Sequence, residues 1–274
     1  MKINILKSSV LTLGAILFLT SCLKNDEVNT VSEVSEIEIQ NMILADDISA
    51  SIDNILDDDD FSLLGKGVDT NKSSVASCVI RTFVEDGDTV TITLDFGDSC
   101  TGYYGLEFSG NIVIEYTRTD AGYKKEVAFE GFTVDGNSIN GTKSVVKVRE
   151  NINGNREATH NVNLTFTFTT GETVSLIGTR IREMIEGADT VNRGDDAYSI
   201  SGNWEYVNRN GVIITGDIVE NLRREFACRY IVSGVTEIIR NSKVYTLNFG
   251  DGSCDNKATL TDFDGNSAEV SLRR

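Results

Sequence analysis

Thr89-Val90-Thr91-Ile92-Thr93-Leu94 alternates a hydroxylated β-branched residue with an aliphatic one, without a break. A strand sends successive side chains to opposite faces, so this period of two reads as a strand with one face solvated and one buried. The pattern recurs over 111–116, 162–169, 173–177 and 267–272. Between the runs stand Asp86-Gly87, Asp135-Gly136, Asn140-Gly141, Asn153-Gly154, Asn210-Gly211, Asp251-Gly252 and Asp264-Gly265, dipeptides that supply the positive φ angles of tight hairpins. Strands spaced in this way predict an all-β fold, an antiparallel meander of about a dozen strands closed as a barrel or folded as a sandwich. Residues 218–226 are the one stretch of this region that reads as a short helix or a long loop.

The opening run continues into Asp95-Phe96-Gly97-Asp98-Ser99-Cys100, and Thr93 to Cys100 has a second copy in Thr246-Leu247-Asn248-Phe249-Gly250-Asp251-Gly252-Ser253-Cys254. Each copy follows an earlier cysteine, Cys78 or Cys228, at similar spacing. Four cysteines allow three connectivities. The internal similarity selects Cys78–Cys100 and Cys228–Cys254, each bracketing one hairpin. A turn at Asn241-Ser242 brings Cys228 almost opposite Cys254, whereas Cys78 meets Cys100 only if the loop at 96–98 folds back. Residues 186–197, rich in glycine and aspartate, are the best candidate break between two related halves, 75–187 and 195–274.

Upstream of residue 75 the period changes. Val34, Ile37, Asn41, Ala45, Ile48, Ile52 and Ile55 recur at spacings of three and four, one stripe of an amphipathic helix, with Glu36, Glu38, Asp46, Asp47 and Asp53 largely on other faces. Asp57 to Asp60 oppose the helix dipole and are expected to fray or stop the helix, leaving an acidic helix and linker over 34–74. Further upstream, Lys2 and Lys7 precede an apolar run from Val10 to Leu19 that ends in Leu19-Thr20-Ser21-Cys22. A positive start, a short apolar stretch and a small residue before cysteine predict a lipoprotein signal over 1–21 and lipidation at Cys22, with 22–33 as a tether. The apolar run is about half the length that spans a bilayer as a helix.

The formal net charge is −17, and residues 23–64 carry twelve acids against the single Lys24. Such a chain repels nucleic acid and anionic headgroups, so the membrane link is the lipid and no nucleic-acid partner is expected. There is no proline, and His160 is the only histidine. Any histidine-based nucleophile system or metal site would depend on that one residue, which sits in an alternating segment and reads as an ordinary strand residue. No cofactor and no metal are expected. Residues 136–143 place Thr142 before Lys143 ahead of a strand, the reverse of a phosphate loop, and read as a double hairpin turn. Asp262 to Glu269 has its glycine two positions early for a calcium loop and reads as an Asp-Gly turn. A carboxylate pair for glycoside hydrolysis would come from strand acids such as Asp95, Glu107, Glu115 and Glu130. Trp204, Tyr206, Tyr103 and Tyr104 would make a sugar-stacking platform if exposed, though aromatic residues on sheet faces more often belong to the core. An outer-membrane-type barrel is disfavoured, because charges interrupt both strand faces.

Two stretches carry a family likeness. Leu23-Lys24-Asn25-Asp26-Glu27 resembles the Lys-then-acidic export signal of surface lipoproteins in the Bacteroidota, with Asn25 set between the Lys and the acids. Cys228 to Gly234 together with Asn248 to Thr259 is similar to the C-terminal end of an uncharacterised Bacteroidota outer-membrane lipoprotein family, and a looser likeness reaches back to Cys78. The likeness implies compartment and architecture and no activity. The expected function is that of a lipid-anchored outer-membrane protein facing the cell exterior, non-enzymatic, with a glycan or protein ligand or a structural role. The alternatives are a carboxylate-dependent polysaccharide hydrolase and a scaffold subunit of an envelope complex that docks a partner on the 34–56 helix.

Overall fold

The computed structural model describes residues 36–63, 77–87, 89–190 and 192–272. The expected signal segment, Cys22, the tether, Val34 and residues 64–74 of the linker lie outside them.

One helix, α1 (Glu36–Leu63), precedes β1 (Ile80–Asp86), β2 (Thr89–Asp95), β3 (Cys100–Thr101), β4 (Glu107–Arg118), β5 (Gly122–Val134), β6 (Asn137–Val148) and β7 (Glu157–Thr167). The chain continues through β8 (Thr173–Glu186), β9 (Ala197–Asn208), β10 (Ile213–Glu225), β11 (Ile231–Arg240), β12 (Lys243–Asp251), β13 (Lys257–Thr261) and β14 (Ser267–Ser271). Order in space follows order in the chain, except that the two-residue β3 pairs only with β4. The fold is therefore the antiparallel meander expected, led by a helix. It is neither a sandwich nor, among the described residues, a barrel closed by strand pairing: the fourteen strands form one open sheet with β1 and β14 at its edges.

The physical reason is the helix. A sheet with one apolar face needs a second layer against it, and α1 supplies that layer. No residue from Asn41 to Asp57 is exposed. Ala45, Ile48, Ile52 and Ile55 share one core with strand residues from Ile92 on β2 to Leu260 on β13. Side chains of β5, β6, β7, β8, β9 and β11 all reach the helix, so the sheet curls round it. At one rim Tyr104, between β3 and β4, donates its hydroxyl to the carbonyls of Phe226 and, at 3.2 Å, of Cys228. That contact ties the early strands to the β10–β11 connection without strand pairing.

Both expected disulfides, Cys78–Cys100 and Cys228–Cys254, are present. The two sequence copies make the same local turn. Gly97 N donates to Asp95 Oδ1 and Gly250 N to Asn248 Oδ1, each at 2.8 Å, and Phe96 and Phe249 are both buried. Three local expectations change. Asn140-Gly141 is no turn but lies inside β6, where Gly141 has φ +114° and a Cβ would fall 2.2 Å from the Asn163 carbonyl oxygen; glycine there permits close strand approach. Residues 218–225 belong to β10, whose register shifts between Ile218, Glu220 and Arg223 disguise the alternation. The aspartates after Leu56 do not stop α1, which runs to Leu63, because the first of them has partners inside the sheet.

Candidate functional site

Strand alternation puts Lys125 on the same face as Val127, Lys143 and Lys147 with Val145, His160 with Val162 and Leu164, and Arg180 and Arg182 with Leu176 and Met184. That face is the inner one. On α1, Asp46, Asp53 and Asp57 recur at spacings of seven and four, a second stripe beside the apolar one. The two sets meet as an ionic seam between helix and sheet.

Asp53 is its centre. Its Oδ1 contacts Lys143 Nζ and lies 2.9 Å from His160 Nδ1, with all three side chains nearly or completely out of contact with solvent. Lys143 also reaches Ser49 Oγ at 3.2 Å. One turn on, Asp57 pairs with Arg182 Nη1 at 3.2 Å and with Lys147 at 3.6 Å, while Arg182 Nη2 donates to Asn54 Oδ1 at 3.3 Å. Toward the helix start Asp46 pairs with Arg180, and Glu38 accepts from Asn208 at 3.1 Å and pairs with Arg240 at 3.2 Å. Lys125 donates to the Leu56 carbonyl at 2.6 Å.

Burial and charge oppose each other throughout the seam. Burial alone would raise the pKa of Asp53, yet His160, Lys143 and Arg182 hold it well below the usual carboxylate range. Burial likewise works against Asp57, and Arg182 and Lys147 overcome it to leave a pKa of about 2. Burial pushes the Lys143 amine down against the pull of Asp53. It also pushes His160 below its ordinary value, with Asp53 pulling the other way. Asp196, next to Arg193, goes the other way: burial outweighs the Arg193 guanidinium and raises it to about 6.

The seam borders a cavity of about 20 Å³, lined among others by Asp46, Asp53, Arg180, Arg182 and Arg224. That is room for about one water molecule, so the basic groups serve the helix and leave no space for an organic substrate. Among the described residues no group of three or more His, Cys, Asp or Glu side chains is placed to hold a metal ion.

The candidate residues read from sequence distribute differently. His160 is on a strand as expected, but it faces the helix as part of a charged cluster. Asp57, expected to help fray or stop the helix, is buried and paired. Glu107, Glu115 and Glu130 are exposed and Asp95 is partly exposed, spread along β2, β4 and β5, so they form no enclosed pair. Trp204 and Tyr206 are buried in the core, and Tyr104 is spent on the rim contact; no stacking platform forms from them. Asp262 accepts from the amides of Asp264 and Asn266 at 3.0 and 2.8 Å, which makes the calcium-like stretch an ordinary β13–β14 turn. Lys125, Arg180, Arg182 and Arg224 belong to no motif of the sequence. Their signal was parity, a cation in the apolar register of one strand after another. A scan against protein-family models and searches of curated proteins and of solved structures find no match to this chain.

Proposed function

We propose that this chain is a lipid-anchored outer-membrane lipoprotein, held through Cys22 and facing the cell exterior, with a non-enzymatic binding or structural role. The anchor rests on the residues quoted above, from Lys2 to Cys22 and the acidic stretch after it. The non-enzymatic reading rests on one observation: a cluster of ionisable side chains on the inner face is buried and pairs with the chain's own helix. Chemistry on an external substrate needs such groups to face a cleft. Here Asp95, Glu107, Glu115 and Glu130 are dispersed over three strands, and Asp46, Asp53 and Asp57 are paired with cations of the sheet. The ligand is then a glycan or protein recognised by the outer surface of the sheet, and the −17 charge argues against nucleic acid. Against the scaffold alternative stands the burial of the helix, in which no residue from Asn41 to Asp57 is exposed.

Two measurements test the reading. Labelled fatty acid should enter the parent chain and not Cys22→Ser. Protease added to intact cells should degrade the protein. Label retained by C22S would overturn the anchor, and protection on intact cells with degradation after lysis would place the protein in the periplasm.

A further inference from the structure

We infer that the β1 edge is a self-association surface, joining two copies of this chain in one continuous sheet about a two-fold axis at Phe83. Among the described residues β1 pairs only with β2, and all but one of its seven residues are exposed. Exposure is high for its apolar members, 63% for Ile80, 52% for Phe83 and 64% for Val84. Folded proteins usually blunt such an edge with lysine, proline, a bulge, a covering segment or inward-pointing charges. Of these, among the described residues, β1 has only the charges of Arg81 and Glu85, which a second copy in the two-fold register about Phe83 would pair. Ile80-Arg81-Thr82-Phe83-Val84-Glu85-Asp86 has neither lysine nor proline, and its register with β2 is unbroken from Ile80↔Asp95 to Asp86↔Thr89.

The sequence of this strand is complementary to itself. With Phe83 opposite its symmetry mate in an antiparallel pair, Arg81 falls opposite Glu85, Thr82 opposite Val84, and the same contacts repeat across the axis, as an isologous interface requires. The two Arg–Glu pairs and the central aromatic pair are the cross-strand combinations that stabilise sheets. Backbone parity agrees. The hairpin closes on Asp86↔Thr89 with two residues between, so the antiparallel alternation points the amide and carbonyl groups of Arg81, Phe83 and Glu85 to the side away from β2. In the two-fold register these three positions meet one another. A slip of one residue would set them against positions whose groups point toward β2. Moving the axis by one residue either way keeps parity but puts Phe83 opposite Arg81 or Glu85 and loses both charge pairs. Arg81, Phe83 and Glu85 also share the inner face with Leu94, Ile92 and Val90 of β2, so pairing would extend the core across the axis.

Cysteine cross-linking of the full chain in its own cell envelope tests this. Phe83→Cys should give a disulfide-linked homodimer on non-reducing gels, because the paired Cα atoms lie about 5.5 Å apart in such a register. Val84→Cys should not, since its mate lies diagonally, roughly 7–8 Å away. Adding Glu85→Arg to F83C should cut the homodimer about tenfold through two like-charge contacts, and R81E/E85R should restore it. The rescue separates loss of the interface from loss of folding. Equal cross-linking of F83C and V84C, a homodimer indifferent to E85R, no rescue by the swap, or linkage of F83C only to a different envelope protein would each overturn the inference.

Discussion

Phe96, Phe108, Phe129 and Phe132 fill the interior beside β2, β4 and β5, with Phe132 lying 5.3 to 6.1 Å from the other three ring centroids. A few strands away, inward positions of the same parity carry Lys143, His160, Arg180 and Arg182. Both regions belong to one interior, and both exclude water, but they constrain the chain differently. Apolar packing is tolerant of direction and accepts rearrangement at constant volume. A buried ion pair rewards one geometry and penalises a missing partner far more than it stabilises the fold overall. The rings therefore hold the sheet together, while the seam specifies which helix face, at which depth, occupies the curl.

The largest effects break the two regions one residue at a time. Asp53→Ala leaves Lys143 and His160 buried without their anion and should cost about 3–5 kcal/mol. Phe132→Ala should cost about as much through the cavity it leaves. Denaturant unfolding would not separate them, but compensation would. D53L/K143M/H160L replaces every ionisable member of the central cluster by an apolar one and should return stability to within about 1–2 kcal/mol of the parent. No second substitution of ring to aliphatic should rescue F132A so fully. If the triple variant proves as unstable as D53A, the seam is a net source of stability and the contrast fails.

Acid should expose the same contrast with a smaller effect. Asp53, Asp57 and His160 all have folded-state pKa values below their unfolded ones. Each contributes stability that is present above its unfolded pKa and lost as the pH falls through the folded value. Loss should begin as His160 enters its range below 6.5 and steepen between 3.8 and about 2 as Asp57 is protonated, on the order of 2 kcal/mol from Asp57 alone. Asp196, raised to about 6, has the opposite sign: its contribution is present below 3.8 and disappears as pH rises through 6. Chemical unfolding from pH 7 to 2.5 should show this slope in the parent and in F132A. In D53L/K143M/H160L the parts due to His160 and Asp53 should disappear, while the Asp57 part between 3.8 and about 2 remains, because Arg182 and Lys147 are still in place. An unchanged slope in the triple variant would mean that neither Asp53 nor His160 carries the acid sensitivity.

Much of this architecture is legible from residues alone, and the illegible part has a definite cause. Alternation such as Thr89 to Leu94 and turns such as Asn241-Ser242 are local, so the meander and both disulfide hairpins follow from short stretches. Closure is not local. Whether a one-faced sheet meets another sheet or a helix depends on what fills its concavity, and nothing in a single strand says so. The seam lies between these cases. Lys143 and His160 sit in the apolar register of their strands, and Asp46, Asp53 and Asp57 form a stripe on the helix. Each set alone reads as solvated charge, and only their pairing makes burial tolerable. Gly141 misled for a related reason: Asn-Gly signals a turn, but a positive φ also serves a strand that must pass close to its neighbour's carbonyl.

The smallest expected effect concerns the helix itself, where the two kinds of interior lie side by side. Ile52 is fully buried on the apolar stripe, one residue before Asp53. Ile52→Val removes one methyl group and should cost about 0.5–1.5 kcal/mol, with no change in pH slope, because the neighbouring stripe keeps its partners. Asn54→Ala removes the acceptor for Arg182 Nη2 and should also cost about 1–3 kcal/mol, since a charged donor is then left unsatisfied in the interior. Only the second should alter the acid transition, by changing how firmly Arg182 is held against Asp57. Equal pH profiles for the two variants would mean that the helix responds to burial alone, and that the acidic stripe does not set its orientation.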